Sequence, residues 1–531
     1  MTEVVNHNPA VIDNTDDLKE GYSGFSGVAD NELRMGAEFE EWYGTLTDDE
    51  RQIVLTDHDT IFAIKEDAEA AIRVAEAART GRPFELTPTR ELHKETTSGV
   101  LEKSSSAYRN DDLLGLYAEF GEFLEARVEA ARKNGAVLCP TSQIPTTTVQ
   151  EGLDKILADD RKRSILSNYA DVLEDDALRF TFMTSTFQTS LSYRDPEQMY
   201  NIVSVANDLA PFLYILGEDT TGFVENDPRQ RLFPPHMQYC KSLGLYGGIE
   251  EAYLSAFDAD SYLEAHIRQA ADMPMFSYFD QSGDVVPADK LHMPTWNSLR
   301  AHGLNTGTNF TMAECGTFWP DVKLCDIRDK NEVPIGKRVE IRMVDRGFWM
   351  IPLSKMIQDT EGNRQIRDLL EDYGFDGKPG LGSAMVIKQA QFSALRRGHS
   401  FLDVSYGAAG NTSAPRTMHD FAKDLSDVVG KYFAGHELEP YLDGFHHICQ
   451  TGRTNAKVLQ EMYPTLEDAK RYVIEAPDEI KMDMVKCLDQ HREDGIMPKP
   501  QSSQIYDVGA GVNDNGPDRN QDRAAAPGPA M

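Results

Sequence analysis

The chain has 531 residues, 40% hydrophobic and 26% charged, and 87 acidic against 53 basic residues give a formal charge of −34. That length accommodates one large catalytic domain or two to three ordinary ones. The charge argues against a general nucleic-acid or membrane binder, since phosphates would be repelled, and no apolar run approaches the roughly 18 residues of a membrane span.

The stretch from Met1 to about Asn31 is polar and acidic, without a basic n-region or an apolar h-region, so a cytoplasmic protein with a flexible leader over 1–30 is expected. A strand follows at Leu33–Trp42, and residues 47–82 read as helical, closed by Gly81-Arg82-Pro83. A second strand is expected around Ser98–Ser104. A long amphipathic helix then runs from about Asp111 to Lys133, its stripe of Leu113, Leu114, Leu116, Phe120, Phe123 and Leu124 reading as a core face. Val137–Pro140 reads as a buried strand, Lys162–Leu173 as a helix, Arg179–Tyr193 as a long strand rich in Thr and aromatics, and Pro196–Leu216 as a helix.

From Gly222 to Gly248 the chain is loop-rich. Residues 249–271 read as helical, and Asp272–Tyr278 is an apolar segment. Arg338–Asp345 alternates charged and apolar residues at strand period, and helical runs resume at Leu353–Tyr373, 418–433, 437–461 and 465–490. One catalytic domain over 31–497 and a disordered tail over 498–531 are expected, the tail from its Ser, Asn, Asp, Gly, Ala and Pro content. Strands separated by helices give an α/β or α+β class. Six scattered cysteines with no CxxC pair argue against a disulfide framework or a zinc site.

Several strands carry polar residues of a single parity. Glu38 and Glu40 alternate on the first, Glu102 sits on the second, and Thr184, Thr186, Gln188 and Ser190 share a face of the third. Glu340 and Arg342 are two apart, so they point the same way. Carboxylates bind Mg²⁺ through hard oxygen and a guanidinium grips phosphate in a fork. Each motif alone has an ordinary reading, an exposed strand edge or an ion pair. Together they ask for one site, because a sheet face of carboxylates is costly to desolvate unless cations bind there.

At these residues the chain resembles the glutamate–cysteine ligases of the plant and proteobacterial type, within the glutamine synthetase-like carboxylate–amine ligases. GAEFEEWY (36–43) resembles that family's GxExE strand, LEKSSS (101–106) its Glu-containing segment, SILSNY (164–169) a helix before the central strand, and MTSTFQTSLSY (183–193) the central strand itself. DMPMF, FWPDVKL and VEIRMVD follow in the family's order, and 441–463 resembles its closing helices around a Thr-Gly pair. The resemblance runs from about Leu33 to Tyr463. It implies an α+β fold in which a curved antiparallel sheet forms a cone with helices outside. It also implies two or three Mg²⁺ ions held by Glu38, Glu40, Glu102 and Glu340, with ATP as co-substrate. Arg342 and Glu340 would be catalytic, and Arg342, Thr186, Gln188, Lys323, Lys337 and Arg338 would face ATP or phosphate. Arg163, Tyr169, Thr184, Ser190 and His236 would line the substrate.

The departures fall mainly on the amino-acid side. Phe233–Gly248 has no counterpart of the family's Arg-then-Trp segment, Ser190 and Ser192 stand for its Asn and Asp, Glu314 for a His, and Cys325–Ile335 reads as an extra loop. The implied reaction is ATP-dependent amide formation through an acyl phosphate, with glutamate and cysteine as substrates in a monomer or homodimer. A different acceptor amine and an inactive nucleotide-binding relative are the alternatives. No Ser/His/Asp or Cys/His arrangement competes.

Overall fold

The computed structural model describes residues 11–25, 27–46, 53–81, 92–94, 99–139, 154, 185–217, 246–248, 250–288, 293–316, 318–328, 334–344, 347–373 and 417–453. Its strands are β1 (Arg34–Leu46), β2 (Ile53–Leu55), β3 (Leu92–Lys94), β4 (Val100–Ser104), β5 (Tyr108–Arg109), β6 (Ala136–Leu138), β7 (Phe187–Ser192), β8 (Tyr246–Gly248), β9 (Ser277–Phe279), β10 (Val285–Pro287), β11 (Phe318–Pro320), β12 (Val322–Arg328) and β13 (Pro334–Val344). The helices used below are α1 (His58–Thr80), α2 (Leu113–Lys133), α3 (Pro196–Gly217), α4 (Ala259–Asp272), α5 (Gly307–Gly316), α6 (Met350–Gln358), α7 (Thr360–Asp372), α8 (Met418–Tyr432) and α9 (Asp443–Thr451).

Nine strands form one sheet in the order β12-β13-β7-β1-β4-β3, with β2, β5 and β6 pairing along the rest of β1. Every pairing in it is antiparallel. The sheet is strongly curled, a half-barrel, so the expected α+β class with a curved antiparallel sheet is what the chain adopts. Strand β1 is its hub because its 13 residues outrun every partner, leaving room for β4, β5, β6 and β7 along its length.

Alternation gives the sheet two unlike faces. On the back, Met35, Ala37, Phe39, Phe187, Leu191, Leu324, Val339 and Ile341 pack against buried residues of α2, α3 and α6. Phe39, Phe120, Phe187 and Phe348 meet there at centroid distances of 5.1 to 6.5 Å, tilted or edge to face, a geometry the ring quadrupoles favour. A smaller cluster joins Tyr43 and Leu101 to α1 and the second half of α2. The back also carries paired charge: Lys103 meets Glu119 at 2.7 Å and Arg127 meets Glu41 at 2.5 Å, all four side chains essentially sealed.

Several expectations shift. The stretch read as helix over 47–82 holds β2 first, because Ile53, Val54 and Leu55 suit a strand, and the helix begins at His58 with Asp57 accepting from Thr60 N. Residues 249–271 and 353–373 each divide, at Ala256–Asp258 and at Asp359. Of the loop expected over Cys325–Ile335, Cys325–Arg328 continue β12 against β13, and Pro334 and Ile335 open β13. Part of the expected leader, within residues 11–25, packs on the rest of the chain. Leu18 and Tyr22 are buried in the main core and Ile12 N donates to Asn305 O. Lys162–Leu173, Arg179–Thr184, 465–490 and the tail lie outside the described residues. No described helix is long and apolar enough to cross a membrane.

Candidate active site

Residues directly opposite in an antiparallel pair project to the same face, so the register fixes the front of the sheet. Glu40 faces Glu102 across β1 and β4, and Glu38 faces Gln188 across β1 and β7. Ser190 stands between Gly36 and Glu340, and Glu340 faces Lys323. Glu38, Glu40, Glu102 and Glu340 therefore share one face, as their parity predicts. His93, opposite Glu102, joins them. Sequence reasoning passed over His93, because a three-residue strand shows too little alternation to reveal its face.

Each carboxylate has a different neighbour. Glu40 Oε2 accepts from Thr186 N at 2.8 Å and from Thr186 Oγ1 at 3.0 Å, and Gln188 Nε2 donates to the same hydroxyl. Glu102 accepts from Ser104 Oγ at 2.8 Å. Arg338 Nη2 lies 3.5 Å from Glu38 and 3.2 Å from Glu340, while Nη1 donates to Asp326 O. On its other side Glu340 meets Arg342 Nη1 at 3.4 Å. Burial alone would raise the Glu340 pKa, but Arg342, Arg338 and Lys323 outweigh it and hold the carboxyl below its ordinary value. Glu340 thus stays charged in a buried place.

Arg342 keeps 29% of its side chain exposed and Arg338 only 2%. A β-bulge between Ile341 and Val344 accompanies this, setting two residues of β13 against one of β7 at Arg342. The exposed guanidinium is the one a ligand can reach.

The chemistry of the donors suits Mg²⁺, with four carboxylates of hard oxygen on one face and Lys323 and Arg342 beside them. Ser190 Oγ, buried next to Glu340, has no hydrogen-bond partner among the described residues. The carboxylates are not gathered into a ligand shell, however. Among the described residues no three His, Cys, Asp or Glu side chains could hold a metal together. The contacts explain this, because Arg338 stands between Glu38 and Glu340, Glu40 is turned to Thr186 and Glu102 to Ser104.

Lys337 is a correction. Its parity is opposite to that of Glu340, so it points to the back, where it is ion-paired with Glu314 and with Asp326 at 2.8 Å. Engaged there, it cannot serve a phosphate on the front. Glu314 also accepts from Tyr22 OH at 2.8 Å and meets His266 Nε2 at 3.0 Å, and His266 Nδ1 meets Glu250 at 2.5 Å. No sequence pattern joins these, since they come from β13, β12, α5, α4, the N-terminal segment and the residue before the short helix Glu251–Ser255. Arg163, Tyr169, Thr184 and His236 lie outside the described residues.

No family model and no curated protein matches the sequence. Solved structures similar to it include a glutamate–cysteine ligase from Francisella tularensis in complex with AMP, at a TM-score of 0.46 and 10% identity, over 90% of this chain and 97% of that one. A bifunctional glutathione synthetase from Pasteurella multocida aligns at a TM-score of 0.39 and 11% identity, over 87% of this chain and 53% of that one. The ligase PafA, in its complex with the ubiquitin-like protein Pup, aligns at 0.33 and 9%, over 90% and 79%.

Proposed function

We propose that this chain is an ATP- and Mg²⁺-dependent ligase that joins a carboxylate to an amine through an acyl phosphate, with glutamate and cysteine as its leading substrates. The observation that carries the reading is the front of the sheet, where Glu38, Glu40, Glu102 and Glu340 share one face with Lys323 and the partly exposed Arg342. When bound, Mg²⁺ neutralises and orients the triphosphate. Glu38, Glu40, Glu102 and Glu340 would supply its oxygen ligands only once turned away from Arg338, Thr186 and Ser104.

In the first step a substrate carboxylate oxygen attacks the γ-phosphorus of ATP, the bond to the bridging oxygen breaks, and ADP leaves. Arg342 would stabilise charge on the transferred phosphoryl group, a role of preorganised electrostatics rather than covalent catalysis. In the second step the amine attacks the acyl carbon, the phosphate leaves and the amine proton is lost to give the amide. Thr186, bonded to Glu40, and Gln188, bonded to Thr186, would form the floor on which the nucleotide sits.

A second reading keeps the chemistry and changes the amine. It is favoured by Phe233–Gly248, which lacks the Arg-then-Trp pair of the family that the sequence resembles. Recognition of a free amino-acid carboxylate normally uses a guanidinium fork. A phosphate-release screen with ATP, Mg²⁺ and pairs of carboxylates and amines decides between them. Release that needs both glutamate and cysteine supports the first reading, and release with glutamate and another amine supports the second. No release with any pair sinks both.

A further inference from the structure

Two arginines flank Glu340. Arg338 is sealed at 2% exposure, and a single nitrogen, Nη2, stands between the carboxylates of Glu38 on β1 and Glu340 on β13. Those strands are not neighbours, since β7 runs between them. Opposite Glu340 on β7 is Ser190, whose buried hydroxyl has no partner among the described residues. The guanidinium is anchored from its other side by Asp326 O at 3.1 Å. A cation thus already sits between two carboxylates that the functional reading gives to metal.

We propose that Arg338 is a positioning residue that acts as a built-in counter-cation. It holds Glu38 and Glu340 aligned while no metal is bound, and it competes with the divalent ion for those two carboxylates, lowering metal affinity. This rests on the reading of the front face as a metal–nucleotide site. Two buried carboxylates without a cation would be strongly disfavoured. A permanent guanidinium resolves that in the metal-free chain, and its positive charge, a few ångströms away, then opposes a second cation. Arg342, partly exposed, is left for the nucleotide.

The test uses the full chain and Mn²⁺ as the probe, with binding read by electron paramagnetic resonance and melting followed in chelator and in saturating Mg²⁺. Arg338→Gln is expected to bind Mn²⁺ about tenfold or more tightly than the unaltered chain. It should melt lower in chelator and regain most of that loss in Mg²⁺, whereas the unaltered chain gains less. Arg338→Lys, which keeps a charge on a shorter reach, should bind Mn²⁺ with intermediate affinity, and it decides the matter alone if Arg338→Gln does not fold. Wild-type or weaker Mn²⁺ affinity in the foldable variants, or a melting loss that Mg²⁺ does not repair, overturns the proposal and leaves Arg338 structural. Phosphate release is scored separately. A chain that releases no phosphate with any substrate pair, yet shows the tighter Mn²⁺ binding, fails the ligase reading and not this one.

Discussion

Arg342 lies two residues beyond Glu340 on β13, and the bulge at that point leaves it partly open to solvent. Replacing it by alanine should lower the rate of ATP-dependent phosphate release about two to three orders of magnitude, the usual loss for one preorganised charge stabiliser. Melting should move little, because the side chain faces the front. Unchanged turnover would make it a structural residue. His266 offers a different test, on the back of the sheet. Burial alone would lower its pKa, but Glu250 and Glu314 overcome that and raise it from 6.5 to about 9. A folded-state value above the unfolded one stabilises fully below the unfolded pKa and is lost as pH rises through the folded one. Stability to denaturant should therefore fall by about 3 kcal/mol between roughly pH 6.5 and pH 9 and beyond. His266→Gln should be less stable at neutral pH and lack that slope. An equal slope in both proteins would assign the titration to another group.

At the scale of elements, α2 is held to the sheet by the Phe39, Phe120 and Phe187 contacts and by sealed ion pairs. Lys103→Met should cost about 3–5 kcal/mol, because it strands the Glu119 charge in the interior. Lys103→Met with Glu119→Leu should recover much of that, since an apolar pair replaces an ionic one. If urea melts find the double variant no better than the single one, the hydrogen bonds that Glu119 accepts from Tyr108 OH and Ser106 N carry the contact instead. The elements also show what a reader of the sequence could see. The front face was legible because Glu38, Glu40, Glu102, Gln188 and Glu340 lie on strands whose alternation fixes their side. Lys337 could have been set apart by the same parity, one residue from Arg338. The network of Tyr22, Glu250, His266, Glu314 and Lys337 was not legible, because its members are up to 315 positions apart and meet only through tertiary packing. β2 was lost because three β-branched or apolar residues next to a strong helix carry little local signal.

At the scale of the whole molecule the net charge of −34 is self-repelling in the compact state. Melting temperature should rise as NaCl goes from about 0.01 M to about 1 M, over which the screening length falls from about 30 Å to about 3 Å. A flat or falling curve would show that repulsion is offset by local pairing such as Lys19 with Asp260 or Arg364 with Glu361. The N-terminal segment belongs to this scale too, since Tyr22 and Leu18 join residues as distant as Phe310 and Phe445 in one core. An acidic, polar composition concealed two anchoring side chains there.

The unlike faces of β13 also bear on how the chain finds its alignment. Sliding that strand by one residue against β7 would turn Arg338, Glu340 and Arg342 into the packing against α3, and would bring Val339 and Ile341 out to the front. Lys337 would leave Glu314 and Asp326 behind. Each charge stranded in this way costs several kcal/mol, so a shifted pairing is rejected as soon as the helices close over it. The residues that build the candidate site thereby act as a proofreading device during folding, one that an all-apolar strand of the same length would lack.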